Sequence, residues 1–140
     1  MKEKSDILGV RPKDGPLPRI PAGEYEAQCF KTEKKPFLGS EKKLYLHFKI
    51  IDGEHQGIKL FGVYNVNYKS FPKASKYYTD WAIANEGLPT RRERMSQNIF
   101  KNKVFLVKVR DAEPKYGDGK PKPEMFVYSV VDRIIEKLAG

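Results

Sequence analysis

The sequence predicts a small, mainly β domain: a five-stranded Greek-key barrel with one helix between its third and fourth strands. Three observations carry this reading. Residues 43–51, Lys-Leu-Tyr-Leu-His-Phe-Lys-Ile-Ile, alternate polar and apolar with a period of two, the mark of a half-buried strand. Four other stretches, about 23–31, 58–67, 103–111 and 125–132, read as strands by alternation or β-branched content. One stretch, 73–86, changes to spacings of three and four, the mark of an amphipathic helix. A length of 140 residues argues for one domain. Folding a chain this size removes roughly 68–70% of its unfolded surface from water. Its core therefore needs no disulfide or metal.

The elements follow in order. Residues 1–22 carry Pro12, Pro16, Pro18 and Pro21 with Gly9 and Gly15, and proline fixes φ and removes amide donors. They are expected to form an extended N-terminal arm, with the domain proper at 23–140. In the first strand Tyr25, Ala27 and Cys29 share one face, and Glu24, Glu26 and Gln28 the other. Residues 31–43 read as a lysine-rich connection with Pro36, Gly39 and Ser40 as turn formers. In the second strand Leu44, Leu46, Phe48 and Ile50 face the core, while Lys43, Tyr45, His47 and Lys49 face out. Asp52-Gly53 through Gly57 is a hairpin signal. The third strand turns Ile58 and Leu60 in and Lys59 and Phe61 out, and Gly62 is read as a candidate bulge.

In the helix, Ala74, Tyr77 or Tyr78, Trp81 and Ala84 or Asn85 mark the apolar stripe. Pro72 is read as just inside its start and Gly87 as just past its end. The three aromatics are expected to plug the open end of the barrel. A second short helix is possible within 88–102. The fourth strand turns Phe105, Val107 and Val109 in and Lys108 and Arg110 out. A loop with Pro114, Gly117, Gly119, Pro121 and Pro123 leads to the fifth strand, and residues 133–140 are expected to close the chain as a short helix. This order resembles the OB-fold, a five-stranded Greek-key barrel; another α+β sheet is the alternative it leaves open.

Charge narrows the function. Twenty-seven Lys and Arg against eighteen Asp and Glu leave +9 at pH 7, which favours a polyanionic partner without specifying a fold. One cysteine, Cys29, and two histidines, His47 and His55, exclude a disulfide framework, a multi-cysteine zinc site and a zincin. No apolar run approaches the ~20 residues of a membrane helix, and no apolar segment follows the charged start as in a signal peptide. A cytoplasmic protein without cofactor or membrane partner is the expectation.

The outward face of the second and third strands is the strongest functional signal. Lys43, Tyr45, His47 and Lys49 interleave cations with rings, and Lys59 and Phe61 continue the pattern. Rings stack on bases and cations track phosphates, which is how single-stranded nucleic acid is held. The bland alternative is cross-strand packing of Tyr45 on Phe61, with the lysines as solubilising surface. Between residues 31 and 49, six lysines, Lys34 and Lys35 among them, stand against two glutamates. The last loop adds Lys115, Tyr116, Lys120 and Lys122. In an OB barrel these two loops flank the binding groove. Arg110 lies outward on the fourth strand. Arg91, Arg92 and Arg94 form a second basic cluster, which could extend the track, contact a partner or pair with Glu93.

Catalytic readings are weak. Tyr116-Gly-Asp-Gly-Lys120 lacks P-loop spacing, and no Gly-x-Ser-x-Gly elbow occurs. Asp111, Glu113 and Asp132 could in principle hold magnesium as in nucleases, but carboxylates at a strand end are usually solvated. Cys29, on the inward face, reads as an inert buried thiol.

Ile20-Pro-Ala-Gly-Glu-Tyr-Glu-Ala27, then Leu44-Tyr-Leu-His-Phe-Lys-Ile-Ile-Asp-Gly-Glu54 and Gly57-Ile-Lys-Leu-Phe61, resemble a set of phage and mobile-element proteins. These are regarded as OB-fold single-stranded DNA-binding or replication-associated proteins. The resemblance spans roughly 20–132. It implies a role in DNA replication, recombination or transfer, with replication or recombination proteins as possible partners. It supplies no catalytic residue. Cellular single-stranded DNA-binding proteins typically end in an acidic tail, whereas this sequence ends Glu136-Lys-Leu-Ala-Gly140, so recruitment through such a tail is not expected.

The expected function is non-catalytic binding of single-stranded nucleic acid, DNA rather than RNA by resemblance alone. Tyr45, Phe61 and His47 would stack; Lys34, Lys35, Lys43, Lys49, Lys59, Arg110, Lys120 and Lys122 would contact phosphate. The alternative is an OB-type protein-interaction module, to which Phe37, Leu38 and Phe71 would contribute an apolar patch.

Overall fold

The computed structural model describes residues 17–37, 41–66 and 70–140, apart from the side chains of residues 37 and 41. Five strands form one sheet: β1 (Gly23–Phe37), β2 (Glu41–Ile50), β3 (Lys59–Asn65), β4 (Val104–Ala112) and β5 (Tyr128–Ala139). Their order is β3-β2-β1-β4-β5. Every neighbouring pair is antiparallel. One helix, α1 (Lys76–Asn85), lies between β3 and β4 in sequence. Among the described residues no helix is long and apolar enough to cross a membrane.

Alternation sets the core. Leu44, Leu46, Phe48 and Ile50 of β2 are buried, as are Ala27 and Cys29 of β1 and Phe105, Val107 and Val109 of β4. Tyr77, Tyr78, Trp81 and Ala84 turn the apolar stripe of α1 onto this face. Burial pushes the Cys29 thiol up to about 12, so it stays protonated and inert.

The sheet is not closed by hydrogen bonds, and β3 and β5 are its two outer strands. They nonetheless approach each other. A β-carbon added at Gly62 of β3 would stand 3.0 Å from the Val131 carbonyl oxygen of β5. The rings of Phe61 and Tyr128 are 6.1 Å apart across the same seam.

Several expectations need correction. Gly62 is not a bulge: pairing with β2 runs unbroken from Lys49↔Lys59 to Lys43↔Asn65, so Gly62 and Tyr64 keep the inward parity of Leu60. Its missing side chain admits β5. The lysine-rich connection is mostly strand, because β1 continues to Phe37 paired with β2. Pairing on one side was enough to extend a polar stretch of low β-propensity. The helix is shorter than 73–86: it begins at Lys76, so Pro72 and Ala74 lie before it and Ala74 is exposed rather than on the apolar stripe. The Ser75 hydroxyl caps it by accepting the N–H of Tyr78 at 3.1 Å, and Glu86 ends it in the left-handed conformation. Of the second helix only a 3-10 turn, Gln97–Ile99, forms.

The terminal helix does not form; β5 runs to Ala139. Its pairing with β4 shifts register three times, passing over Asp132, Ile135 and Leu138. Each bulge delays the inward turn by one residue, so inward positions fall at Val131 and Ile134.

Residues 1–16 of the arm lie outside the described residues. Its last residues pack against the domain rather than ahead of it. Ile20 is buried, its N–H donates to Ser129 Oγ at 2.8 Å, and Ser129 N–H donates to the Pro18 carbonyl at 2.9 Å. The Arg19 guanidinium holds Asp111 at 2.9 Å and Glu124 at 2.8 Å.

Candidate nucleic-acid interface

The outer face of the sheet is built by register. Directly paired residues share a face, so Lys43, Tyr45, His47 and Lys49 stand beside Val63, Phe61 and Lys59 of β3 and Lys35, Glu33 and Lys31 of β1. The bulge between Cys29 and Lys31 adds Phe30 to this face. The result is a line of rings across four strands. Phe30 and His47 are 6.2 Å apart, His47 and Tyr45 6.4 Å, Tyr45 and Phe61 5.7 Å, and Phe61 and Tyr128 6.1 Å.

Lysines border the line. Lys59 Nζ lies 5.5 Å from the Phe30 ring centre, and Lys35 Nζ 5.0 Å from that of Tyr45. Lys49 stands directly opposite Lys59, and Lys35 directly opposite Lys43. Like charges directly opposed across strands destabilise a sheet. Glu33 is the acidic exception: its Oε1 lies 3.8 Å from both Lys31 and Lys35 and accepts the His47 Nε2–H at 3.1 Å.

Burial and hydrogen bonding oppose each other at this pair. Burial lowers the His47 pKa, and it stays lowered although Glu33 pulls it up. Burial raises that of Glu33, but His47, Lys35 and Lys31 outweigh it and hold the carboxyl below its ordinary value. At neutral pH the ring is thus neutral and the carboxylate charged.

Not every expected residue joins this face. Tyr45 lies on it but is only 7% exposed, covered by its ring neighbours and Lys35, so the expected stacking platform is a buried support. Lys34 pairs with Leu44 and points to the other side of β1. Arg110 is outward on β4 but held by Asp132 at 2.8 Å. Lys120 and Lys122 sit on the loop before β5. There Tyr116 N–H donates to the Lys120 carbonyl, and Lys122 Nζ lies 5.6 and 6.0 Å from the ring centres of Tyr116 and Phe126.

Two ring positions escaped the sequence reading. Phe30 follows Gln28 by two on the outward face, and an apolar ring on a polar face was the available signal. Tyr128 was absorbed into the last strand as generic alternation.

The expected apolar patch does not assemble as foreseen. Phe71 is buried in the core. Leu38 and the Phe37 side chain lie outside the described residues.

The acidic residues are engaged by arginines: Asp111 by Arg19, and Asp132 by Arg110. Among the described residues no group of three His, Cys, Asp or Glu side chains could hold a metal ion. His55 packs edge-on against Tyr25 at 5.8 Å.

Fold and face together define the chain as a mainly β protein with an aromatic, cation-bordered sheet face. Compared with known proteins, it matches no family model and no curated sequence.

Proposed function

We propose that this protein binds single-stranded nucleic acid, without catalysis, on the outer face of an OB-like half-closed barrel. The strand order and the approach of β3 to β5 support the barrel reading: pairing those two edges would close the sheet. The observation that carries the function is the line of rings from Phe30 to Tyr128, bordered by two directly opposed lysine pairs. Placing Lys49 against Lys59 costs stability, and a phosphate chain between them turns that cost into attraction. Phe61, Tyr128 and Phe30 stack on bases; Tyr45 supports them from below; Lys35, Lys43, Lys49 and Lys59 follow the phosphates. Duplex bases, already stacked on each other, offer no free faces to these rings.

The test is fluorescence anisotropy with labelled single-stranded DNA, matched RNA and matched duplex at low and high salt. The expected result is binding to single strands over duplex, weakening steeply as salt rises. Equal, weak binding to all three would reduce the charge to generic attraction and remove the reading.

One observation favours a second reading, a protein-docking module. Met125 is 81% exposed and stands beside Phe126 on a 3-10 turn, with Tyr116 also exposed on the same loop. Binding to a replication or recombination protein that survives high salt and is lost in Met125→Ser would support it.

A further inference from the structure

A cleft of about 450 Å³ lies at the edge of β1 away from the ring face. Lys34 lines one side. Successive strand residues point to opposite faces. Lys34 and Lys35 therefore carry adjacent charges to opposite sides of one strand: Lys35 over the Tyr45 ring, Lys34 into the cleft. Residues 93–97, with Arg94, line the other side, and the largely buried Phe71 and Tyr77 close the bottom.

The far wall is held in place by the helix. Tyr77 Oη–H donates to the Met95 carbonyl at 2.7 Å, and Trp81 Nε1–H to that of Ser96 at 2.9 Å. The one acid there, Glu93, is neutralised by Arg91 at 2.6 Å. Neither Lys34 nor Arg94 has an ion pair among the described residues. The cleft thus presents on a pre-formed wall two cations that no salt bridge among the described residues holds, Arg94 near enough to Glu93 to help keep that carboxyl charged. β1 pairs with β4 only from Gly23 to Gln28, so from Thr32 onward no described strand covers its second edge.

We propose that the cleft takes a phosphorylated nucleotide unit of the same single strand, which crosses the bare edge of β1 from Lys35 to Lys34. Lys34 and Arg94 hold its phosphate, Arg94 by the bidentate geometry a guanidinium offers. The volume suits a small-molecule-sized unit. This inference rests on the single-strand reading above and gives that reading a length: a short strand is satisfied by the rings, and a longer one also fills the cleft.

The test compares strands of about 5 and about 15 nucleotides, within the span that one such domain occupies. The proteins are the wild type and the double variant Lys34→Gln, Arg94→Gln. Its fold is verified by circular dichroism and thermal melting. The variant is expected to bind the short strand as the wild type does and to lose about tenfold or more on the long one. Its long-strand salt slope should be shallower by about 0.7, for the one phosphate the two cations hold. Long strands with and without a 5′-phosphate are compared in parallel. Equal loss on both assigns an internal phosphodiester; loss confined to the phosphorylated strand assigns the strand end. A folded variant that matches the wild type on both lengths, or loses equally on both, overturns the cleft and leaves the ring face standing. A wild type that binds neither length overturns both.

Discussion

The hydroxyl of Tyr64 donates to Oδ2 of Asp80 at 2.6 Å, and the same oxygen accepts the backbone N–H of Ile134 at 3.1 Å. One buried carboxylate oxygen thus joins β3, α1 and the bulged part of β5. Burial raises the Asp80 pKa, and the two hydrogen bonds and Lys76 only partly offset it. Asp80→Ala strands two buried donors and is expected to cost about 2–4 kcal/mol. Asp80→Asn keeps an acceptor oxygen and should cost less. A folded-state pKa above the unfolded one gives stability that is full below the unfolded value and lost as pH rises through the folded one. Asp80→Asn should therefore flatten the pH dependence of unfolding in that window, as read by chemical denaturation.

Gly62 and Val131 mark the seam between the two outer strands. An alanine at 62 meets the Val131 carbonyl at 3.0 Å, and that carbonyl belongs to backbone held in the β4–β5 pairing. Gly62→Ala is expected to lower stability by about 1–3 kcal/mol. A melting temperature equal to wild type would mean that the seam yields freely.

Lys49 and Lys59 separate function from stability. Lys49→Glu replaces a like-charge pair with an opposite one, worth about 0.2–1 kcal/mol in favour of the fold. The same change places a negative charge where a phosphate is proposed. The variant should melt higher and bind single strands more weakly. Melting and anisotropy on one preparation check both, and unchanged affinity would make the lysines mere surface.

The rings divide into a buried one, Tyr45, and half-buried ones such as Phe61 and Tyr128. Tyr45→Ala removes a buried side chain and is expected to cost about 3 kcal/mol of stability as well as affinity. Phe61→Ala and Tyr128→Ala remove half-buried rings at the seam. Each should cost about 1–3 kcal/mol of binding with the fold retained. Isothermal titration alongside thermal melting separates the two classes.

His47 gives the face a pH dependence. Its lowered pKa leaves it neutral at pH 7, with the carboxylate of Glu33 beside it. Phosphates bound on the proposed face would favour the imidazolium, so binding would take up a proton. Affinity should rise as pH falls from about 7.5 to about 5.5. His47→Gln should remove that rise; a variant with the same pH profile would assign it elsewhere.

Much of this molecule was legible in its residues. Strict alternation at Leu44, Leu46, Phe48 and Ile50 can bury only one face, so the inward set and the cationic face opposite followed directly. Phe105, Val107 and Val109 behaved the same way, and the helical spacing of Tyr77, Tyr78 and Trp81 favoured the core, where they lie, over contact with a ligand. The ring face was half visible: Tyr45, His47 and Phe61 were found, and Phe30 and Tyr128 were not.

What the sequence determined by itself was local: which residues alternate, where the period changes, and how much charge a polyanion would meet. The tertiary structure decided what depends on neighbours distant in sequence. Arg133-Ile-Ile-Glu-Lys-Leu-Ala139 looks helical because bulges at Asp132, Ile135 and Leu138 space its inward positions by three, and only pairing with β4 makes that spacing a strand. Whether an outward Tyr45 is exposed depends on the rings that register brings beside it. Lys34 and Lys35 part company because β1 extends along β2 where local propensity favoured a loop. In each case the deciding energy comes from a cross-strand contact, and a contact between distant segments leaves no periodicity in either segment alone.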